Sequence, residues 1–234
     1  MKRLSLLVLF FSIAFMIFFM LPPFLNQKFG LYPLMRAADV FDVFTPLVLL
    51  PLYWLLFKLG GKDHPTIRES LFFMVFTGFW ALGQGMHLAA NSIGHVLEGM
   101  EGTDINTLGH FYDEVLSHYL WHFGVAGLSA TIIYRQWRHP LADDNTSTGL
   151  SILAGIIYGF TYFALIIEGA TAPLGVPFTI LAVLFMAIFA RKYIRHEPVI
   201  FFLFIGYVFA LLLFIGWGIY WQGLPEFSEV GIVD

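Results

Sequence analysis

Cysteine is absent from this sequence. That removes disulfides, thiolate metal sites, cysteine nucleophiles and c-type haem attachment, and leaves the compartment open. Charge is scarce: 12% of the 234 residues are Asp, Glu, Lys or Arg, against about a quarter in a soluble domain. The net charge of −4 offers no basic face, which argues against nucleic acid as a partner. A phosphate-binding glycine loop, a GxSxG elbow and a Rossmann fingerprint are missing too. So are internal repeats and any loop long enough to be a domain. What fills the chain is 59% hydrophobic residues, with 27 Phe, and a mean hydropathy of +0.78. Such a composition suits lipid, with Trp and Tyr near the interfaces.

A bilayer-crossing helix needs about 20 mostly apolar residues. Seven such runs occur, at about 4–22, 42–59, 71–97, 110–134, 149–167, 174–191 and 198–221. They are separated by turn-rich stretches such as "LGGKDHP", "EGMEGTD" and "GATAPLGVP". The first run has a long apolar core and no small-residue cleavage site before "LPPF", so it reads as a retained helix rather than a signal peptide. Lys and Arg collect on the cytoplasmic side of short loops. An inside N-terminus places Lys2, Arg3, Lys58, Lys62, Arg68, Arg135, Arg138, Arg191, Lys192 and Arg195 there, leaving only Lys28 and Arg36 outside. The expectation is an all-α integral membrane protein, one seven-helix domain over 1–234, N-terminus cytoplasmic and C-terminus outside. It would be a multi-pass protein of a bacterial-type inner or plasma membrane.

The third run ends in "GQGMHLAANSIGH". At 100° per residue, Gln84, His87, Asn91, His95 and Glu98 share one helical face. On the fourth run, Glu114, His118 and His122 follow i, i+4, i+8 spacing, whereas Asp113 points away from that stripe. The two runs join through a short loop and are antiparallel. A hairpin centred near residue 104 brings His87 opposite His122, Asn91 opposite His118 and His95 opposite Glu114, to within about one turn. Asp39, Asp42, Glu168, Gln222 and Glu226 share that outer depth.

Polar side chains inside a membrane are expensive and usually functional, although Asn, Gln and His also serve as interhelical hydrogen-bond glue. Four His and a carboxylate face to face make a metal site the favoured reading. His87, His95, Glu114, His118 and His122 are the expected ligands to a divalent Zn, Fe or Cu ion. Gln84 and Asn91 are expected to support the bound group, fixing a His tautomer or a water. Glu114 and Glu168 are the candidate catalytic bases. His64, His139 and His196, beside Pro or in basic loops, read as solvated.

The favoured function is a membrane metalloenzyme, a hydrolase or an oxygen-activating oxidoreductase, acting on a lipid-like or small apolar substrate in the outer half of the bilayer. One alternative is a b-type haem electron-transfer subunit of a larger membrane complex, with His87 and His122 as axial ligands. Another is a transporter or proton relay. The relay needs polar residues continuing inward, and below Gln84 and His122 the two runs offer only Thr77, Ser129 and Thr131. Seven helices with buried His invite comparison with the alkaline ceramidases and adiponectin-type receptors, whose zinc site uses His-x3-His on the last helix. Here His118-x3-His122 lies on the fourth run and the seventh has no His, so the chain is not assigned to that family.

Overall fold

Side-chain caps decide where polar loop gives way to helix. The Thr66 backbone N–H donates to Glu69 Oε2 at 2.8 Å, and the Glu69 N–H donates back to Thr66 Oγ1 at 3.2 Å. This capping box starts the third helix four residues before the apolar run does. For the second helix the cap is one-way, Asp39 Oδ2 accepting from the Arg36 N–H at 2.8 Å. Both helices therefore begin earlier than hydrophobicity alone predicts.

In the computed structural model, residues 2–31, 35–94, 96–97, 99–141 and 147–232 are described. Among them lie α1 (Lys2–Met20), α2 (Ala37–Leu59), α3 (Ile67–Gly94), α4 (Asp104–His110), α5 (Ser117–Arg138), α6 (Thr148–Glu168), α7 (Ala172–Ile188) and α8 (Pro198–Trp221). No strand forms among the described residues; one isolated bridge pairs Lys28 with Arg36. Five helices, α1, α2, α3, α6 and α8, are long and apolar enough to cross a membrane. α7 is apolar but has 17 residues.

α5 is not among the five, although it matches the expected fourth span. It carries His118, His122, Arg135, Gln136 and Arg138. It tolerates them because it packs against α2, α3, α7 and α8, so protein rather than lipid surrounds most of it. The chain also reaches this helix differently than expected. Asp104 to Arg138 is one continuous helical run, with a six-residue π-helical segment, Phe111–Leu116, joining α4 to α5.

The seven long helices alternate in direction. At one end the Lys62 N–H meets the His139 carbonyl, Trp137 Nε1 donates to the Phe189 carbonyl, the Ile200 N–H donates to Gln136 Oε1, and the Ser147 N–H donates to Ser5 Oγ. These bonds gather the starts of α1, α6 and α8 with the ends of α2, α5 and α7. Arg135 seals the same end, fully buried, with Nε on the Phe57 carbonyl at 2.7 Å and Nη1 on Glu69 Oε2 at 3.2 Å. His139 is not simply solvated here, since it lies 3.1 Å from Asp63 Oδ2 and 3.5 Å from Glu69 Oε1. The opposite end gathers the ends of α1, α3 and α6 with the starts of α2, α5 and α7.

Candidate functional site

The π-helical segment sets the site's geometry. The Ser117 N–H reaches the Tyr112 carbonyl, five residues back instead of four, and the Ser117 hydroxyl also bonds the Asp113 carbonyl. A wider turn takes a smaller angular step per residue, so the 100° rule misplaces side chains here. Asp113, expected to point away, turns inward instead, and its Oδ1 lies 2.8 Å from His87 Nδ1. Glu114, the expected member of the stripe, is 43% exposed, with Oε2 3.7 Å from His118 Nδ1. Inserted residues like these are frequently found at functional sites.

The register between α3 and α5 is about one turn from the expected one. The His87 ring stands 5.0 Å from His118, not opposite His122. Two glycines fix this register. A Cβ on Gly83 would sit 2.5 Å from the Trp121 backbone N, and one on Gly124 would sit 2.6 Å from the Trp80 backbone N. Small residues let membrane helices approach this closely.

His118 and His122 lie 5.9 Å apart, ring to ring, with their planes 21° from parallel. The His122 ring is held by Thr171, whose Oγ1 lies 2.5 Å from Nδ1. Gly169 lets both rings sit there, because a Cβ at that position would come 2.6 Å from His122 Cε1 and 3.4 Å from His118 Nδ1. Two of the three imidazoles thus have an oxygen close beside Nδ1. Among the described residues, His122 Nε2, Gln84 Oε1, Trp121 Nε1 and His118 Nδ1 are buried without a hydrogen-bond partner, as are His87 Nδ1 and Asp113 Oδ1, which face each other as an ion-pair contact rather than a hydrogen bond. Native proteins leave few such groups, and each calls for an explanation.

These side chains line one cavity of about 560 Å³ at the bundle end. Its apolar wall includes Phe18, Phe19, Pro22, Pro23 and Leu165. Asp42, Glu114, Glu168, Glu226 and His110 complete the polar part. Burial lifts the Glu226 carboxyl above its ordinary range, and the neighbouring Glu229, Glu168 and Glu114 charges lift it further, against His110. Glu168 also anchors backbone, since its Oε2 accepts the Phe227 N–H at 3.0 Å and ties the C-terminal tail across the cavity.

The structure thus brings together Gln84, His87, Glu114, His118, His122 and Glu168 of the expected site residues. Asn91 is half-buried but does not line the cavity. His95, together with Glu98, lies outside the described residues. Of the residues sharing the outer depth, Asp42 and Glu226 join the cavity, Asp39 caps α2, and Gln222 caps α8 in a left-handed turn. Sequence pattern alone does not find Asp113, Gly169 or Thr171. "YDEVLSHYLWH" holds two adjacent acids, and only the π turn chooses between them. Gly169 and Thr171 come from another helix end, which no local pattern links to α5.

Polar groups also continue inward, where Ser129 of α5 meets tyrosines of α6 and α8. The Ser129, Tyr158 and Tyr207 hydroxyls are linked by contacts of 3.2 Å each, deep in the bundle. Tyr53 adds a further buried hydroxyl there.

No three His, Cys, Asp or Glu side chains among the described residues converge closely enough to hold a metal ion as they stand. No protein-family model, curated protein or solved structure matches this chain.

Proposed function

We propose that this chain is a seven-span membrane metalloenzyme, N-terminus inside and C-terminus outside. In this reading His87, His118 and His122 hold one Zn, Fe or Cu ion in the cavity, and the substrate is lipid-like or a small apolar molecule. The supporting observation is how two of the imidazoles are anchored. Metal-bound His usually has its second ring nitrogen on a carboxylate, hydroxyl or similar partner. His122 Nδ1 is hydrogen-bonded to Thr171, and His87 Nδ1 has the Asp113 carboxylate 2.8 Å away as an ion-pair contact, so the Nε2 atoms are the ones left for an ion.

The chain's own groups have assignable roles. Asp113 and Thr171 fix ring orientation, and His118 lies between the other two rings. Glu114, partly exposed at the cavity, suits proton transfer to and from the reacting group. Glu168, held by the tail, is the weaker base. Gln84 Oε1 is an acceptor for a bound water or a substrate N–H or O–H. When bound, the ion would supply either a water acidified towards pKa 7, as is known for catalytic Zn, or a centre for oxygen. The apolar wall gives a chain-bearing substrate somewhere to lie.

Seven spans are supported by the alternation of the helices and by the ends' composition. The end that gathers Lys58, Lys62, Arg68, Arg135, Arg138, Arg191, Lys192 and Arg195 is the one expected inside. A proton relay is the second reading, favoured by the Ser129–Tyr158–Tyr207 hydroxyls. A role as subunit of a larger complex is compatible with either.

Elemental mass spectrometry on protein purified without a nickel column tests the proposal. About one Zn per chain would mark a hydrolase, and non-haem Fe or Cu an oxygen enzyme, on the ligand preferences of these ions. His118→Ala and His122→Ala should each lose the metal, and His139→Ala, at the opposite end, should keep it. No metal after reconstitution would remove the enzyme reading and leave the relay.

A further inference from the structure

The cavity's charge is one-sided. Asp42, Glu114, Glu168 and Glu226 line it, and none of its lining residues is Lys or Arg. Acidic residues at a mouth can simply be solvated, so their presence alone assigns nothing. A second observation points to a ligand: the buried side chain of Gln84, 3% exposed, lines the same space with its Oε1 unpartnered among the described residues. Gln84 Oε1 accepts hydrogen bonds; it cannot donate them. Burial raises the Glu226 carboxyl first, and the nearby Glu229, Glu168 and Glu114 charges raise it further, with His110 opposing.

The same cavity is also lined by the aromatic and aliphatic side chains of Phe18, Phe19, Trp121 and Leu165. Aromatic faces attract organic cations, most strongly where water is excluded, and a cleft lined by one sign of charge concentrates counter-charged ligands. The volume of about 560 Å³ falls in the ordinary range for small-molecule sites, roughly 300–1,000 Å³.

We infer that the cavity's ligand is a cationic amphiphile: an ammonium head held among Asp42, Glu114, Glu226 and Gln84 Oε1, with an apolar chain along Phe18, Phe19 and Leu165. This rests on the reading of the cavity as a substrate site and names the substrate's class. Anionic amphiphiles such as fatty acids are disfavoured by the same field.

The test is calorimetric titration of the full chain in nonionic micelles with dodecylammonium, whose head has N–H groups for Gln84 Oε1, and with dodecyl sulfate. The protonated head has no lone pair with which to ligate a metal, so the titration is run on metal-loaded and chelator-stripped protein alike. The ammonium probe should bind saturably near one per chain, and the sulfate should not. A Glu114→Gln/Glu226→Gln double variant should bind the ammonium probe about tenfold more weakly, the scale of losing close charge contacts near a protein surface. Glu226 lies on the tail outside the helices, so the single variant Glu226→Gln keeps the comparison open if the double variant does not fold; it should weaken binding in the same direction. Equal binding of both probes, no saturable binding, or unchanged affinity in the folded variants would overturn the inference. Preference for the ammonium probe in protein that takes up no metal on reconstitution would sustain it while removing the metalloenzyme reading. Bound metal with no preference between probes would do the reverse.

Discussion

Asp113 and Glu114 are neighbours of similar chemistry, and a single helical turn gives them different work. Asp113 Oδ1 sits 2.8 Å from His87 Nδ1, while Glu114 faces the cavity half-open. If Asp113 orients His87 for an ion, Asp113→Asn should weaken metal affinity by roughly 10- to 100-fold, the usual cost of removing such a partner. Asp113→Glu should recover part of it, whereas Asn91→Ala, outside the cavity, should change nothing. Competitive chelator titration reads all three. Equal affinity in Asp113→Asn and the parent would sink the positioning role, whatever the metal proves to be. The residues of the two stripes are legible in the sequence because Gln84, His87, His118 and His122 are costly in lipid and repeat at helical spacing. Asp113 is not, because a fixed 100° step cannot anticipate a π turn. Thr171 and Gly169 are not, because their partners lie about fifty residues earlier in the chain.

At the scale of elements, the site depends on how closely α3 approaches α5. Gly124 faces the Trp80 backbone N, where a Cβ would stand at 2.6 Å, and the Phe76 carbonyl, at 2.9 Å. Backbone cannot swing aside as a side chain can, so the helices must part. Gly124→Ala should destabilise the protein by about 1–3 kcal/mol, the range for overpacking a filled site, and should also weaken metal binding by separating His87 from His118. Gly78, on the same α3, has open space where its Cβ would point. Gly78→Ala should therefore be neutral or stabilising by up to about 1 kcal/mol, since Ala is the better helix former. Thermal unfolding in detergent compares the two. Two alanines shifting the midpoint equally would mean that the close approach does not matter. The existence of the longer helices is readable from apolar runs, but helix starts are not. The capping pair Thr66–Glu69 and the Arg36–Asp39 pair lie outside those runs, and α4 lies inside a stretch too polar to register as a span.

For the whole molecule, the arrangement hinges on α7. Seventeen residues at 1.5 Å each give about 25 Å, shorter than a hydrocarbon core of about 30 Å. Yet α6 and α8 both start at the basic end, so the chain between them must return there, and α7 is the helix available to do it. The cytoplasmic placement of Lys and Arg makes the same demand, because it puts Arg191, Lys192 and Arg195 with Lys58, Lys62 and Arg138. A chain without cysteine allows a direct test, since any thiol introduced is the only one present. His64→Cys, His196→Cys and Ser228→Cys each place one thiol on a surface loop or tail without changing a formal charge at pH 7. In intact cells a membrane-impermeant maleimide should label position 228 and leave 64 and 196 unlabelled until the membrane is opened. Labelling at 196 from outside would mean that α7 does not cross, and the seven-span reading would fall even if the cavity stood. Labelling at 64 with protection at 228 would instead invert the molecule. The cavity would then open towards the cytoplasm, and its ligand would have to be drawn from the inner leaflet.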